Sequence, residues 1–299
     1  MCGTCGCGDE GGGTRIALPH EDHARAARSP QGDHHHDHHH EDGHHHDHSQ
    51  AGHPHQDHGH HTHDRPHEGA QDGAVGGDGG ETVTLEERVL AKNELEAERN
   101  RAWLAERHIV AVNLMSSPGA GKTTLLERTI RDFSGRRPVA VVEGDQETML
   151  DAERIKRAGC SVVQVNTGAG CHLDAEMMRG ALTTLAPEDG ALVLVENVGN
   201  LVCPALFDLG ENSRVVIISV TEGTDKPLKY PYMFGAADLV LINKIDLLPH
   251  VDFDVARCES YARSVNPDVR VLTVSATTGE GMDQWYDWVV ALDDRMLLG

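Results

Sequence analysis

Along this chain the apolar positions change regime twice. The first 80 residues hold few aliphatic side chains, and Gly, His, Asp and Ser dominate. A stretch with so little apolar surface cannot offset the entropy lost in ordering its backbone. Residues 1–80 are therefore expected to form a disordered tail. From Thr84 to Arg107 the chain is rich in Leu, Ala, Glu, Lys and Arg, with no Gly or Pro. Thr84-Leu85-Glu86-Glu87 has the spacing of a capping box, so one long helix is expected over 84–107. From Ile109 onward short apolar runs (109–115, 139–142, 161–165, 191–195, 215–220, 239–242 and 270–274) alternate with helix-length segments. Unbroken runs of that length suit strands covered on both faces. Their alternation with helices predicts an α/β domain over 109–299, a mostly parallel sheet flanked by helices.

Composition sharpens the division. Of the 22 His in 299 residues, 19 precede residue 68, leaving only His108, His172 and His250 beyond. Within the tail lie a Cys/Gly head at 2–13, a His/Asp tract at 34–67 and a Gly-rich linker at 69–80. The formal net charge is −22, from 26 basic and 48 acidic residues. That balance argues against a general nucleic-acid binder, which neutralises phosphates with Lys and Arg, and against docking on anionic lipid. No apolar run reaches the roughly 20 residues that span a bilayer. The N-terminus lacks the basic and apolar regions of a signal peptide. A soluble, cytoplasmic protein is expected, in which seven Cys serve as metal ligands, reactive thiols or core residues rather than disulfides.

The run 109–115 leads into Ser116-Ser117-Pro118-Gly119-Ala120-Gly121-Lys122-Thr123-Thr124 and then Leu125-Leu126. This is strand, glycine-containing loop and helix start, the context of a phosphate-binding loop. Gly119, Ala120, Gly121 and Thr124 would offer backbone N–H groups to phosphate oxygens. Lys122 would reach the β- and γ-phosphates, and the Thr123 hydroxyl would ligate Mg2+. Ser116 stands where the usual pattern has its first Gly. The run 239–242 leads into Asn243-Lys244-Ile245-Asp246. Asp246 can accept both N–H groups of guanine's Watson–Crick edge, where adenine offers an acceptor, so GTP is the expected nucleotide. The Lys244 stem can lie along the base plane, Asn243 can contact the opposite edge, and Ser275-Ala276 can offer backbone to the guanine carbonyl. Two acids follow strands. Glu196, in Glu196-Asn197-Val198-Gly199, stands where many GTPases have Asp-x-x-Gly: its carboxylate would steady Mg2+ and the Gly199 N–H would sense the γ-phosphate. Asp145 would bind Mg2+ or orient the attacking water. No catalytic Gln or arginine finger can be assigned, so slow unaided turnover is expected.

Cys171-His172 and Cys203 add a thiolate–imidazole–thiolate set suited to Zn2+ or Ni2+. A parallel sheet would bring both segments to its C-terminal edge, beside the nucleotide. Three ligands leave one position for a water or a second subunit. In the head, Cys2, Cys5 and Cys7 form C-x2-C-x-C; the α-amine of Cys2, once Met1 is removed, would favour Ni2+. The His tract would bind several divalent ions, each modestly. Cys160 and Cys258 read as core.

Together these parts resemble the HypB family of hydrogenase-maturation GTPases. The resemblance rests on the Cys head, on Ser117–Thr123, on Gly170-Cys171-His172-Leu173-Asp174-Ala175, on Glu196–Pro204 and on Asp225-Lys226-Pro227-Leu228-Lys229-Tyr230-Pro231. It implies a GTP-dependent homodimer of the class related to signal-recognition-particle GTPases. It implies delivery of nickel to the large subunit of [NiFe]-hydrogenase, with a HypA-type nickel chaperone and often SlyD as partners. Two other readings use the same residues: a nickel store with a regulatory GTPase domain, and a urease-type nickel-insertion GTPase.

Overall fold

The computed structural model describes residues 15–18, 79–133, 135–145, 150–168 and 170–298. The seven apolar runs all become strands: β2 Val110–Ser116, β3 Val139–Asp145, β4 Ser161–Asn166, β5 Leu192–Glu196, β6 Ser213–Ser219, β7 Leu239–Asn243 and β8 Arg270–Thr273. An eighth, β1, spans Arg15–Ala17. The helices are α1 Gly79–Glu106, α2 Lys122–Phe133, α3 Leu150–Arg157, α4 Ala175–Leu185, α5 Lys226–Lys229, α6 Pro231–Gly235, α7 Val255–Val265 and α8 Met282–Leu298, with 3-10 turns at Cys203–Leu206 and Ile245–His250.

The strands form one sheet in the order β1-β4-β3-β5-β2-β6-β7-β8. Pairs from β4 to β8 are parallel, and β1 alone is antiparallel. Central strands are buried on both faces because alternate residues feed opposite cores. Val110, Val112 and Leu114 pack with Leu125, Ile130 and Phe133 of α2 and with Trp285 and Trp288 of α8. On the other face Ala111 joins Leu104 of α1 and Met178 of α4, while Met115 joins Phe234 of α6 and Ala262 of α7. The Trp285 indole N–H donates to Thr129 Oγ1 at 2.9 Å, so the largest buried ring leaves no orphan donor. At β2 the order reverses: β3, β4 and β5 lie to one side, β6 to β8 to the other. A crevice opens at the carboxyl ends of the strands at such a switch point.

Two expectations need correction. The tail is not structureless throughout, because β1 lies within it. Ile16 pairs with Val165 and packs on α4, where a Cβ on Gly180 would come within 2.5 Å of Ile16 Cδ1. A local reading misses this strand because its stability comes from a partner about 150 residues away. Helix α1 begins at Gly79, so Thr84 sits inside it rather than at its cap. Cys2, Cys5, Cys7 and the His tract lie outside the described residues. Among the described residues no helix is long and apolar enough to cross a membrane.

Candidate functional site

At the crevice the loop after β2 curls into α2. Gly119 and Gly121 take φ of +75° and +97°, which lets the backbone turn its N–H groups inward. Lys122, 8% exposed, donates from Nζ to Ser116 Oγ at 2.8 Å. Ser116 thus does more than tolerate the first-glycine position: its hydroxyl holds the lysine head at the loop's mouth. Thr123 Oγ1 donates to Glu196 Oε1 at 2.8 Å. The loop is braced from outside by Ser117 Oγ, which donates to Glu222 Oε2 at 2.5 Å. A cavity of about 460 Å³ opens here, lined by Gly119, Lys122, Thr123, Glu196, Gly199 and Lys244 among others.

The residues expected to face the base sit at and beyond the end of β7. Lys244 adopts φ +63° and donates from Nζ to Gly119 O at 2.6 Å, laying its stem across the loop. Ser275 Oγ donates to Asp246 Oδ1 at 2.6 Å and fixes that carboxylate. Asn243 is held from several sides. Its Nδ2 donates to Ala120 O at 2.9 Å, and its Oδ1 accepts from the N–H groups of Lys244 and Ala276. It is a buried brace joining the phosphate loop to the 275–276 turn. Gly121 lies against it: an added Cβ would stand 2.6 Å from Asn243 Nδ2. Gly121→Ala combines that clash with a strained φ, at a cost of about 1–2 kcal/mol. Calorimetric titration should then show nucleotide affinity lowered about tenfold, with only a small drop in the unfolding midpoint. Unchanged affinity would refute the brace.

The sequence reading passed over Glu143. It lies beside Glu196 in the register of β3 and β5, is 2% exposed, and lines the same cavity. An acid inside an apolar strand was the available signal, but its neighbour depended on strand order. Arg154 of α3 also lines the cavity and is paired with Glu127 at 3.0 Å. Asp145 closes β3, and its side chain lies outside the described residues.

Cys171, His172 and Cys203 come together, their ligand atoms all within 4.8 Å of one another. Each is half-buried. His172 Nδ1 lies 3.6 Å from Cys171 Sγ, and its ring stacks on Phe207 with centroids 3.8 Å apart. Burial holds the His172 pKa below its ordinary value, against Asp174, which raises it. The neutral imidazole that a metal requires is therefore favoured. By contrast, burial pushes the Cys160 and Cys258 thiols up to about 12, which suppresses the ligating thiolate. A soft, compact N/S donor set of this kind fits Zn2+ or Ni2+.

The loop after β5 joins the two sites. At one end Glu196 holds Thr123, and at the other Cys203 enters the cage. Between them Asn197 Oδ1 accepts from Leu173 N at 3.2 Å, and Asn200 Nδ2 reaches Cys171 O at 3.5 Å. Gly199 approaches the phosphate loop so closely that a Cβ there would lie 3.3 Å from Pro118 Cγ.

Known proteins resemble this chain in sequence and fold. The family model "CobW/HypB/UreG, nucleotide-binding domain" matches residues 110–273, more than half of the chain. The hydrogenase maturation factor HypB of Azotobacter chroococcum mcd 1 is 58% identical over 207 residues, 69% of this chain and 68% of that one. The crystal structure of HypB from Archaeoglobus fulgidus matches with a TM-score of 0.64 at 42% identity, covering 68% of this chain and 99% of that one. HypB from Helicobacter pylori, solved in complex with nickel, matches with a TM-score of 0.64 at 36% identity, covering 68% and 96%. With its phosphate loop, its sheet and these relatives, the chain belongs to the HypB family of CobW/HypB/UreG nucleotide-binding proteins.

Proposed function

We propose that this chain is a GTP-hydrolysing nickel metallochaperone that serves maturation of [NiFe]-hydrogenase. The observation that carries the reading is the single loop 196–203, which ends on Thr123 at one side and in the metal cage at the other. Bound GTP would lay its phosphates over Gly119–Thr124, with Lys122 leaving Ser116 for the β- and γ-oxygens. The adjacent Thr123 hydroxyl and Glu196 carboxylate form a hard oxygen set that suits Mg2+. That ion, when bound, neutralises charge on the β,γ-oxygens. Asp246, fixed by Ser275, reads the guanine edge. Asp145 is assigned to the attacking water, whose attack releases phosphate and leaves GDP.

Ni2+ is the cargo of the cage, and the same donors accept Zn2+. A change at Glu196–Gly199 moves Cys203 relative to Cys171 and His172, which links phosphate count to metal grip. Cys2, Cys5, Cys7 and the His tract are assigned to nickel capture and storage. A HypA-type chaperone, SlyD and the hydrogenase large subunit are the proposed partners, with a GTP-dependent homodimer as the acting form. The test is site-resolved: alkylation of Cys171 and Cys203, read by peptide mass spectrometry against rising Ni2+, with GDP or a non-hydrolysable GTP analogue bound. A coupling of ordinary size shifts the half-protecting concentration about 5- to 150-fold between the two states. Equal concentrations in both would end the proposal.

A further inference from the structure

Both metal-carrying loops rest on one helix that supplies no ligand. On α1, Asn93, Ala97, Asn100 and Leu104 are spaced four, three and four residues apart, so they share one face. All four are buried. Asn93 Oδ1 accepts from Ala175 N at 2.9 Å, and its Nδ2 donates to Asp208 O at 2.8 Å. Two helical turns on, Asn100 Nδ2 donates to Ala175 O at 2.8 Å and to Leu209 O at 2.9 Å. Each amide therefore spans the same two segments. Ala175 lies three residues after His172. Asp208 and Leu209 directly follow Phe207, the ring that stacks on His172, and close the segment that began at Cys203.

Three further contacts tighten this arrangement. Gly210 takes φ +84° and lies so close to α1 that a Cβ would stand 2.4 Å from Ala97 O and 2.7 Å from Asn100 Cβ. Arg101 pairs with Asp208 at 2.8 Å on the outer side, and Lys92 pairs with Glu176 at 2.7 Å. Asn100 is fully buried, yet its Oδ1 has no hydrogen-bond partner among the described residues. The position uses only its two donors, and both go to the loops that flank the cage.

We infer that α1 is part of the metal site: Asn93 and Asn100 are positioning residues that set the separation between the Cys171–His172 loop and the Cys203 loop. The inference rests on the reading of Cys171, His172 and Cys203 as a Ni2+ cage. It adds a second input to that cage besides the nucleotide. Loss of either amide bridge frees Ala175 from Asp208–Leu209, and so changes the grip on the ion without altering a ligand. A helix merely anchored to the domain would need only the apolar and backbone contacts of residues such as Leu104 and Ala97.

The experiment uses the full chain, Ni2+ alone as probe, and the peptide-resolved alkylation of Cys171 and Cys203. Asn100→Ala removes one donor group from both loops. The half-protecting Ni2+ concentration is expected to rise about 10- to 100-fold at both cysteines, as it does when supporting groups around a metal site are lost. Asn93→Asp keeps the acceptor for Ala175 N but loses the donor to Asp208 O, so a smaller rise is expected. Leu104→Ala is the control: it lowers the unfolding midpoint through the same helix and should leave the Ni2+ concentration unchanged. Wild-type protection in Asn100→Ala, or an equal shift in Leu104→Ala, overturns the inference. Should Asn100→Ala fail to fold, an unshifted Asn93→Asp overturns it as well. If Ni2+ protects neither cysteine in the wild-type chain, the cage reading falls and takes the inference with it, a result distinct from protection that the variants leave unmoved.

Discussion

Replacing Lys122 by alanine is expected to slow GTP hydrolysis at saturating substrate by about 10²–10³, the usual loss when one preorganised charge-stabilising group is removed. The structure predicts a clean phenotype. Lys122 is buried, and its Nζ faces Ser116 Oγ. That hydroxyl also donates to Ser117 O at 2.6 Å, so the substitution does not orphan it. Folding should therefore be little affected. Electrostatics is affected much more, because Glu143 and Glu196 line the same cavity. Without the ammonium, a triphosphate enters against two carboxylates, and nucleotide affinity falls with the rate. Phosphate release measured beside a thermal unfolding curve checks both halves. A wild-type rate would remove Lys122 from the mechanism. The variant should also lose any difference in Ni2+ protection of Cys171 and Cys203 between GDP and the GTP analogue.

The second large effect is a change of base. Asp246→Asn should lower GTP affinity by roughly 10²–10⁴, from two charge-assisted hydrogen bonds worth about 1.5–3 kcal/mol each. Ser275 Oγ donates to one oxygen of Asp246. In the variant that oxygen remains an acceptor, so the new amide N–H₂ is turned toward the base. There it meets the N–H groups of guanine unfavourably, whereas the 2-carbonyl of xanthine suits it. Competitive titration with xanthosine and guanosine triphosphates reads the exchange directly. If the variant kept its preference for guanosine, the base would not lie on Asp246.

The parts legible in the sequence were those whose signal is local. Seven apolar runs became seven strands, and Gly119–Thr124 between strand and helix marked the phosphate loop without need of coordinates. Cys171-His172 and Cys203 were drawn together by residue chemistry, and parallel topology puts such loops on one rim. What stayed hidden depended on contacts across the chain. Glu143 gained its place only when β3 proved to lie against β5. The bracing of Ala120, Lys244 and Ala276 by the Asn243 amide was equally out of reach, because Ala120 and Ala276 lie 123 and 33 residues away. Asn93 and Asn100 read as ordinary polar positions of a charged helix. Their partners lie 75 to 115 residues away, beyond the reach of any periodicity.

Strand β1 occupies the outer flank of β4, with Arg15, Ile16 and Ala17 set against Asn166, Val165 and Gln164. Val162 to Val165 are apolar or buried, so this flank without its cover would combine unpaired backbone groups with a sticky sequence. Uncovered edges of that kind template pairing between molecules. A shortened chain that starts beyond Leu18 thus gives up its own plug against self-association, and the aggregates it forms should grow from the β4 side of the sheet.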